Sequence, residues 1–130
     1  MARHILIAED DTNILISIEF LLSNAGYRVT TADNGARAWS ALQTQVCDLV
    51  VLDVMLPVID GLELCRRIRA ADNLNATKIL MLSARGRDSE IATGLELGAD
   101  AYMTKPFGTR EFLESVARLL ESVARLLEPA

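Results

Sequence analysis

The stretch DLVVLDVMLPVIDG, residues 48–61, decides the fold of this chain. The apolar run 49–52 is typical of a strand buried on both faces, and it ends at the carboxylate of Asp53. The pair Asp60-Gly61 then predicts the end of a loop before the next helix. Asp53 is therefore expected at the carboxyl end of a buried strand, the edge of an open α/β sheet where ligands and chemistry collect.

The composition describes a single folded domain with a net negative charge. Its 130 residues are 51% hydrophobic and 24% charged, enough for a core that buries roughly two thirds of the unfolded chain's surface. A formal net charge of −5 argues against direct contact with nucleic acid. The N-terminal apolar run, 4–8, is too short for a signal peptide or a membrane span. Cys47 and Cys65 lack the spacing of a zinc site or a disulfide framework, so we expect reduced core cysteines in a cytoplasmic protein without membrane contact.

Further apolar segments alternate with helical patterns along the whole chain. Besides the strand that ends at Asp53, the predicted strands are residues 4–8, 27–32, 78–82 and 99–104. Each is followed by a helical pattern, and the last of these patterns runs from Thr109 nearly to the end of the chain. Strands that alternate with helices through short loops form a parallel sheet with helices on both faces. The predicted class is α/β, a doubly wound (βα)5 fold.

Polar side chains follow four of the predicted strands. Glu9 and Asp10 come after the first strand, Asp53 ends the third, Ser83 follows the fourth and Lys105 follows the fifth. Because the carboxyl ends of parallel strands share one edge, these side chains can converge on one pocket. Three carboxylates at about 4 Å repel each other by about 4 kcal/mol per pair at an effective dielectric constant near 20, so they need a cation. Oxygen ligands that leave room for water favour Mg²⁺.

The same residue types indicate phosphoryl transfer. Asp53 would attack the phosphorus, while Mg²⁺, Lys105 and Ser83 neutralise charge on the transferred oxygens, and the product would be an acyl phosphate. Asp10 has an alternative role as the N-cap of the first helix, and Asp11 is expected to be solvated or capping.

The chain resembles the receiver domain of the two-component response-regulator family over residues 3 to about 120. Each matching segment alone is weakly specific, but together, in the family's order and spacing, they are highly specific. The segments are ILIAEDD (5–11), DLVVLDVMLPVIDG (48–61), ILMLSARG (79–86) and GADAYMTKPF (98–107). The resemblance implies a flavodoxin-like fold with five parallel strands in the order 2-1-3-4-5.

The resemblance also implies a role for each residue of the pocket. Asp53 would be the phosphoacceptor, and Ser83 and Lys105 would bind the phosphoryl group. The protein ligands of Mg²⁺ would be Asp10 directly, Glu9 through water, Asp53, and the main-chain carbonyl of Met55. The Lys105-Pro106 peptide bond would be cis, which X-Pro bonds reach at low cost.

The implied function is a signalling switch rather than a turnover enzyme. A histidine kinase or phosphotransfer protein would supply the phosphoryl group, Ser83 would move toward it, and Tyr102 would rotate inward. The surface of helix four, strand five and helix five would change shape and could support self-association. Tyr102 could instead simply pack on the sheet. The alternative function is a receiver-fold interaction or dimerisation module that acts without phosphorylation.

Some residues depart from the family's common pattern. Val58 stands where many members carry glycine, so the loop after Pro57 is expected to be stiffer and could shift kinase docking. Met55 and Arg85 would flank the phosphoryl group, and we hypothesise that their bulk slows hydrolysis. Ala101 stands where the transcription-factor branch of the family carries an acidic residue that pairs charges across a dimer face. The sequence therefore does not decide whether this chain forms the symmetric dimer of that branch.

The C-terminus repeats seven residues letter for letter. The heptad ESVARLL occupies residues 114–120 and again 121–127, as a natural duplication or an engineered extension. Seven residues is the coiled-coil period. We therefore predict a receiver domain over residues 1–120 and a helical extension over 121–130. The extension either protrudes and self-associates or leads to a partner, or is a frayed end without function.

Overall fold

The computed structural model describes residues 2–84 and 88–127, with side chains described as far as Glu121. Within these residues, five strands alternate with five α-helices, and a short 3-10 helix precedes the fourth strand. The elements are β1 His4–Ala8, α1 Thr12–Asn24, β2 Arg28–Ala32, α2 Gly35–Thr44, β3 Leu49–Asp53, α3 Gly61–Ala70, the 3-10 helix Asp72–Leu74, β4 Lys78–Ala84, α4 Asp88–Leu97, β5 Ala101–Lys105 and α5 Thr109–Leu127.

The sheet confirms the predicted class and strand order. All four strand pairs are parallel, and the order is β2-β1-β3-β4-β5. Strands β1 and β3 are buried at every position, as expected for apolar runs covered on both faces. Asp53 pairs with Leu82 of β4, so the functional edge of β3 lies beside the end of β4.

Two hydrophobic cores cover the two faces of the sheet. Helices α1 and α5 pack on one face, where Phe112 and Val116 are fully buried. Helices α2 and α3 pack on the other face, where Leu64 and Ile68 are fully buried. The cysteines, Cys47 and Cys65, are free and buried, as predicted.

Side-chain caps fix where the helices begin. The carboxylate of Asp11 accepts the N–H groups of Asn13 and Ile14, so Asp11 is the N-cap of α1 and the capping reading of this residue is confirmed. Asp60, expected in a turn, likewise caps α3. Asn34 is the N-cap of α2, which begins at Gly35.

An ion-pair network that the sequence did not predict ties the end of α3 to the segments that precede β4 and β5. Asp100 accepts the N–H of Ile79 at 2.8 Å and pairs with Arg69 at 2.7 Å. Arg69 also donates to the carbonyls of Gly98 at 2.8 Å and Thr77 at 2.7 Å. Gly98 directly follows α4 and has φ +115, in the left-handed region where glycine is the usual residue after a helix.

Helix α5 carries the repeated heptad. In its first copy, Val116 and Leu120 are buried in the core. The backbone is helical to Leu127, and residues 128–130 lie outside the described part of the chain. A separate role for residues 121–130 stays a prediction. Among the described residues, no helix is long and apolar enough to cross a membrane.

Candidate functional site

The last residue of β3 places a carboxylate at the sheet edge. Asp53 is 4% exposed, and the chain beyond it stays beside β4 because Val54 donates its N–H to the carbonyl of Leu82 at 3.0 Å. The N–H of Met55 reaches back to Asp53 Oδ1 at 3.2 Å. The side chain is therefore buried and oriented by its own loop.

Two more carboxylates reach the same place from the end of β1. Glu9 is fully buried, and its backbone N–H donates to the carbonyl of Ala32 at 3.0 Å. Its Oε2 accepts the N–H of Asp11 at 3.1 Å. Asp10, in contrast, is exposed. Glu9, Asp10 and Asp53 each offer one oxygen, and these oxygens lie within 4.8 Å of one another. The three carboxylates therefore meet at one edge of the sheet, as the positions of the strand ends predict.

Lys105, the last residue of β5, places its ammonium among the carboxylates. Its Nζ lies 2.7 Å from Glu9 Oε1 and 3.3 Å from Asp53 Oδ2. The side chain is 21% exposed, so one positive charge is held in a largely buried acidic site. The Lys105-Pro106 bond is cis, as the resemblance implied.

The pKa of Glu9 lies well above its ordinary value. Burial, followed by the hydrogen bond with Asp53, raises this pKa from 4.5 to about 7, and the contact with Lys105 lowers it only in part. Burial lowers the pKa of Lys105, but its contacts with Glu9 and Asp53 outweigh burial, so its pKa is raised. The arrangement therefore favours an additional cation or proton.

The other predicted residues lie around this cluster at different exposures. Ser83 is 1% exposed and stands one position beyond the β4 partner of Asp53, with its hydroxyl 3.4 Å from the carbonyl of Ala84. Met55 and Tyr102 are about half exposed, at 55% and 47%. Arg85 lies outside the described residues.

An apolar groove beside the site was not predicted. It has a volume of about 440 Å³ and runs between α1 and the start of α5, where Phe107 and Ile14 line it and Lys105 borders it. Ile16 and Phe20 on α1 are 58% and 67% exposed. The sequence did carry a signal, since seven of the 13 residues of α1 are Ile, Leu or Phe, more than one buried stripe requires.

Comparisons with known proteins assign the family. The chain matches the response regulator receiver domain over residues 5–117. The chain therefore belongs to the receiver-domain family of two-component response regulators, as the sequence motifs indicated.

Relatives and solved structures agree with this assignment. The alkaline phosphatase synthesis transcriptional regulatory protein PhoP of Bacillus subtilis is 43% identical over 111 residues, which cover 85% of this chain and 45% of PhoP. This chain thus spans about half the length of the curated relatives it matches.

Solved structures show the same fold along nearly all of the chain. A putative response regulator from Chloroflexus aurantiacus superposes with a TM-score of 0.89 at 36% identity, covering 93% of this chain and 99% of that one. The receiver domain of a sensor histidine kinase from Pseudomonas aeruginosa PAO1 superposes with a TM-score of 0.85 at 31% identity, with the same coverage. That structure has a magnesium ion coordinated in its active-site cleft.

Proposed function

We propose that this receiver domain is a Mg²⁺-dependent switch that accepts a phosphoryl group on Asp53 from a histidine kinase or phosphotransfer protein. The observation that carries the proposal is the meeting of three carboxylates with the ammonium of Lys105 at one sheet edge. This donor set fits Mg²⁺, because oxygen ligands predominate and exposed Asp10 leaves room for water. The magnesium in the active-site cleft of the Pseudomonas receiver supports the same assignment.

The residues that would hold the metal are carboxylates and one backbone group. Asp10 and Asp53 would be direct ligands, Glu9 would act through water, and the main-chain carbonyl of Met55 would be the third protein ligand. When bound, Mg²⁺ would neutralise the negative charge that gathers around the transferred phosphoryl group.

The chain's own residues would perform the transfer. An oxygen of Asp53 attacks the phosphorus of a phosphohistidine, the P–N bond breaks, and its electron pair stays on the ring nitrogen. The imidazole leaves as a neutral ring because its other nitrogen already carries a proton. Lys105 stabilises negative charge on the phosphoryl oxygens, and the hydroxyl of Ser83 donates to one of them. Because the product stays on Asp53, the domain is a switch with slow self-hydrolysis rather than a turnover enzyme.

Phosphorylation would change the surface formed by α4, β5 and α5. Movement of Ser83 toward the new oxygens makes space, and Tyr102, now 47% exposed, would turn into it. We propose that the changed surface, or the repeated heptad, then mediates self-association of the domain. The alternative of a module that works without phosphorylation has no support beyond the fold.

The groove along α1 is the proposed entrance for the protein donor. It borders Lys105, and the exposed apolar side chains of Ile16 and Phe20 lie on the same helix. A helix from a phosphodonor protein would pack into the groove against Ile14 and Phe107 while its phosphohistidine reaches Asp53. The negative charge gives no reason to expect direct nucleic-acid binding, and the two reduced cysteines fit a cytoplasmic location.

Intact mass spectrometry tests the function. Incubation with acetyl phosphate and Mg²⁺ should add about 80 Da, the mass of one phosphoryl group, to the wild type and nothing to Asp53→Asn. Omitting Mg²⁺ should abolish the gain. An equal gain in Asp53→Asn, or no gain in a folded wild-type protein, would contradict the proposal.

A further inference from the structure

The loop that follows β3, residues 54–60, is tied to the first residue of α2. The carbonyl of Pro57 accepts the N–H of Gly35 at 3.0 Å and the N–H of Ile59 at 2.9 Å. The φ of Gly35 lies outside the left-handed region, so this glycine is not required for conformational freedom. It is required for space, because a Cβ at this position would overlap the carbonyl of Ile59 and lie 2.7 Å from the Cβ of Ile59.

The tied loop is strained at its centre. Val58 has φ +73. No other non-glycine residue in the described part of the chain has a positive φ. A β-branched residue rarely adopts this backbone, and a three-residue turn with a positive central φ is a strained form. The side chain is 78% exposed, so no burial offsets the strain. Such conformations persist where the surroundings over-determine them, and here the bond between Gly35 and Pro57 does so.

We propose that Gly35 is a positioning residue for the metal site. Its contact with Pro57 and Ile59 keeps the strained loop in the shape that presents the main-chain carbonyl of Met55 to Mg²⁺. This inference rests on the proposed function, which takes that carbonyl as a metal ligand. Because the loop is strained at Val58, we expect it to relax to another shape when its contact with Gly35 is lost. The carbonyl of Met55 would then move away from the metal site, and Mg²⁺ binding would weaken.

Calorimetric titration with Mg²⁺ tests the role of Gly35 without relying on phosphorylation. Gly35→Ala places a methyl group against the carbonyl of Ile59, and we expect Mg²⁺ to bind about tenfold more weakly, the loss typical when the support of a metal ligand is removed. The titration is made at a temperature where circular dichroism shows the variant to be folded.

Two other glycines provide matched controls. Gly108→Ala adds its methyl group in open space. Gly94→Ala adds one inside α4 against the sulfur of Met81, so it should lower the Tm without touching the loop. Mg²⁺ affinity should stay within about twofold of wild type in both variants, because neither added methyl group contacts residues 54–60. Weakened binding in Gly94→Ala equal to that in Gly35→Ala would reduce the effect to general destabilisation and overturn the inference.

Removing the strain supplies a second, independent variant. Val58→Gly alone should raise the Tm by about 3–6 °C, net of the greater entropy of glycine in the unfolded chain. Combined with Gly35→Ala, it should restore part of the lost Mg²⁺ affinity, because a loop with glycine at position 58 no longer gains by leaving the left-handed region.

The outcomes separate this inference from the proposed function. Wild-type binding with no loss in Gly35→Ala, or a lower Tm in Val58→Gly, overturns the positioning role and leaves the proposed function standing. Absence of Mg²⁺ binding in the wild type overturns the proposed metal site, and the inference with it.

Discussion

Replacing Lys105 by glutamine is expected to destabilise the metal-free protein and to increase its response to Mg²⁺. The Nζ atom lies 2.7 Å from Glu9 Oε1 and 3.3 Å from Asp53 Oδ2. At an effective dielectric constant near 20, these separations give Coulomb attractions of about 6 and about 5 kcal/mol. The cost of removing these charged groups from water cancels most of the Coulomb attraction. Removing one partner of a buried ion pair typically lowers the free energy of unfolding by about 3–5 kcal/mol.

The lower end of that range applies, because the side chain of Lys105 is 21% exposed. A loss of about 3 kcal/mol corresponds to a Tm about 10 °C lower for a chain of this size. The assay is thermal unfolding in EDTA and then in saturating Mg²⁺. The divalent cation neutralises the carboxylates that Lys105 leaves behind, so the gain in Tm from Mg²⁺ should be larger in the variant than in the wild type.

Lys78→Gln is the matched control for this experiment. The side chain of Lys78 is 20% exposed, and its Nζ lies 3.9 Å from Asp100 Oδ1, outside the acidic site. The free energy of unfolding of this variant should fall by at most about 1 kcal/mol, both in EDTA and in Mg²⁺. A Lys105→Gln protein that unfolds at the wild-type temperature in EDTA, or that gains less from Mg²⁺ than the wild type, would refute the electrostatic reasoning.

Further predictions concern pH, the ion-pair network and the first helix cap. The pKa of Glu9 is raised from 4.5 to about 7, so the folded protein binds more protons than the unfolded chain between these values. Metal-free stability should therefore fall as pH rises from about 4.5 to about 7, by on the order of 3 kcal/mol, and urea unfolding in EDTA would contradict this if stability were flat or rising. Arg69→Ala removes the links to Asp100 and three backbone carbonyls and should cost about 2–4 kcal/mol in urea unfolding, whereas a loss below about 1 kcal/mol would show that the network contributes little. Asp11→Ala should lower stability by about 1 kcal/mol through loss of the N-cap, with Mg²⁺ affinity by calorimetry kept within about twofold; a larger loss of affinity would make Asp11 part of the metal site.

The pocket could be predicted because its residues are fixed by strand ends. Glu9, Asp53 and Lys105 each follow or end an apolar strand, and parallel strands deliver their carboxyl ends to one edge. The position of each residue along its strand therefore determines where the side chains meet. The family motifs added roles for these residues, which the geometry alone does not supply.

Contacts between helices and distant loops could not be predicted in the same way. Arg69 and Asp100 are 31 residues apart, and their pairing depends on how the end of α3 sits against the loop before β5. The space requirement at Gly35 has no sequence signal either, because the sequence cannot show that Ile59 approaches too closely for any side chain. The exposure of Phe20 likewise depends on which stripe of an apolar helix the sheet covers.

Val58 shows how a departure from a motif becomes interpretable. The sequence predicts a stiffer loop because valine replaces glycine at this position. The structure shows that this valine has φ +73. A valine in the left-handed region stores strain that glycine would not. The effect of that strain on partners stays a prediction.

Chemical trapping of the phosphorylated residue tests the central claim most directly. After incubation with acetyl phosphate and Mg²⁺, borohydride reduces an aspartyl phosphate to homoserine, which peptide mass spectrometry can locate. The account predicts homoserine at position 53 in the treated wild-type protein, and an unmodified Asp53 when Mg²⁺ is omitted. A reduced residue at Glu9 or Asp10 instead, or none in a folded and treated protein, would contradict the assignment of Asp53 as the phosphoacceptor.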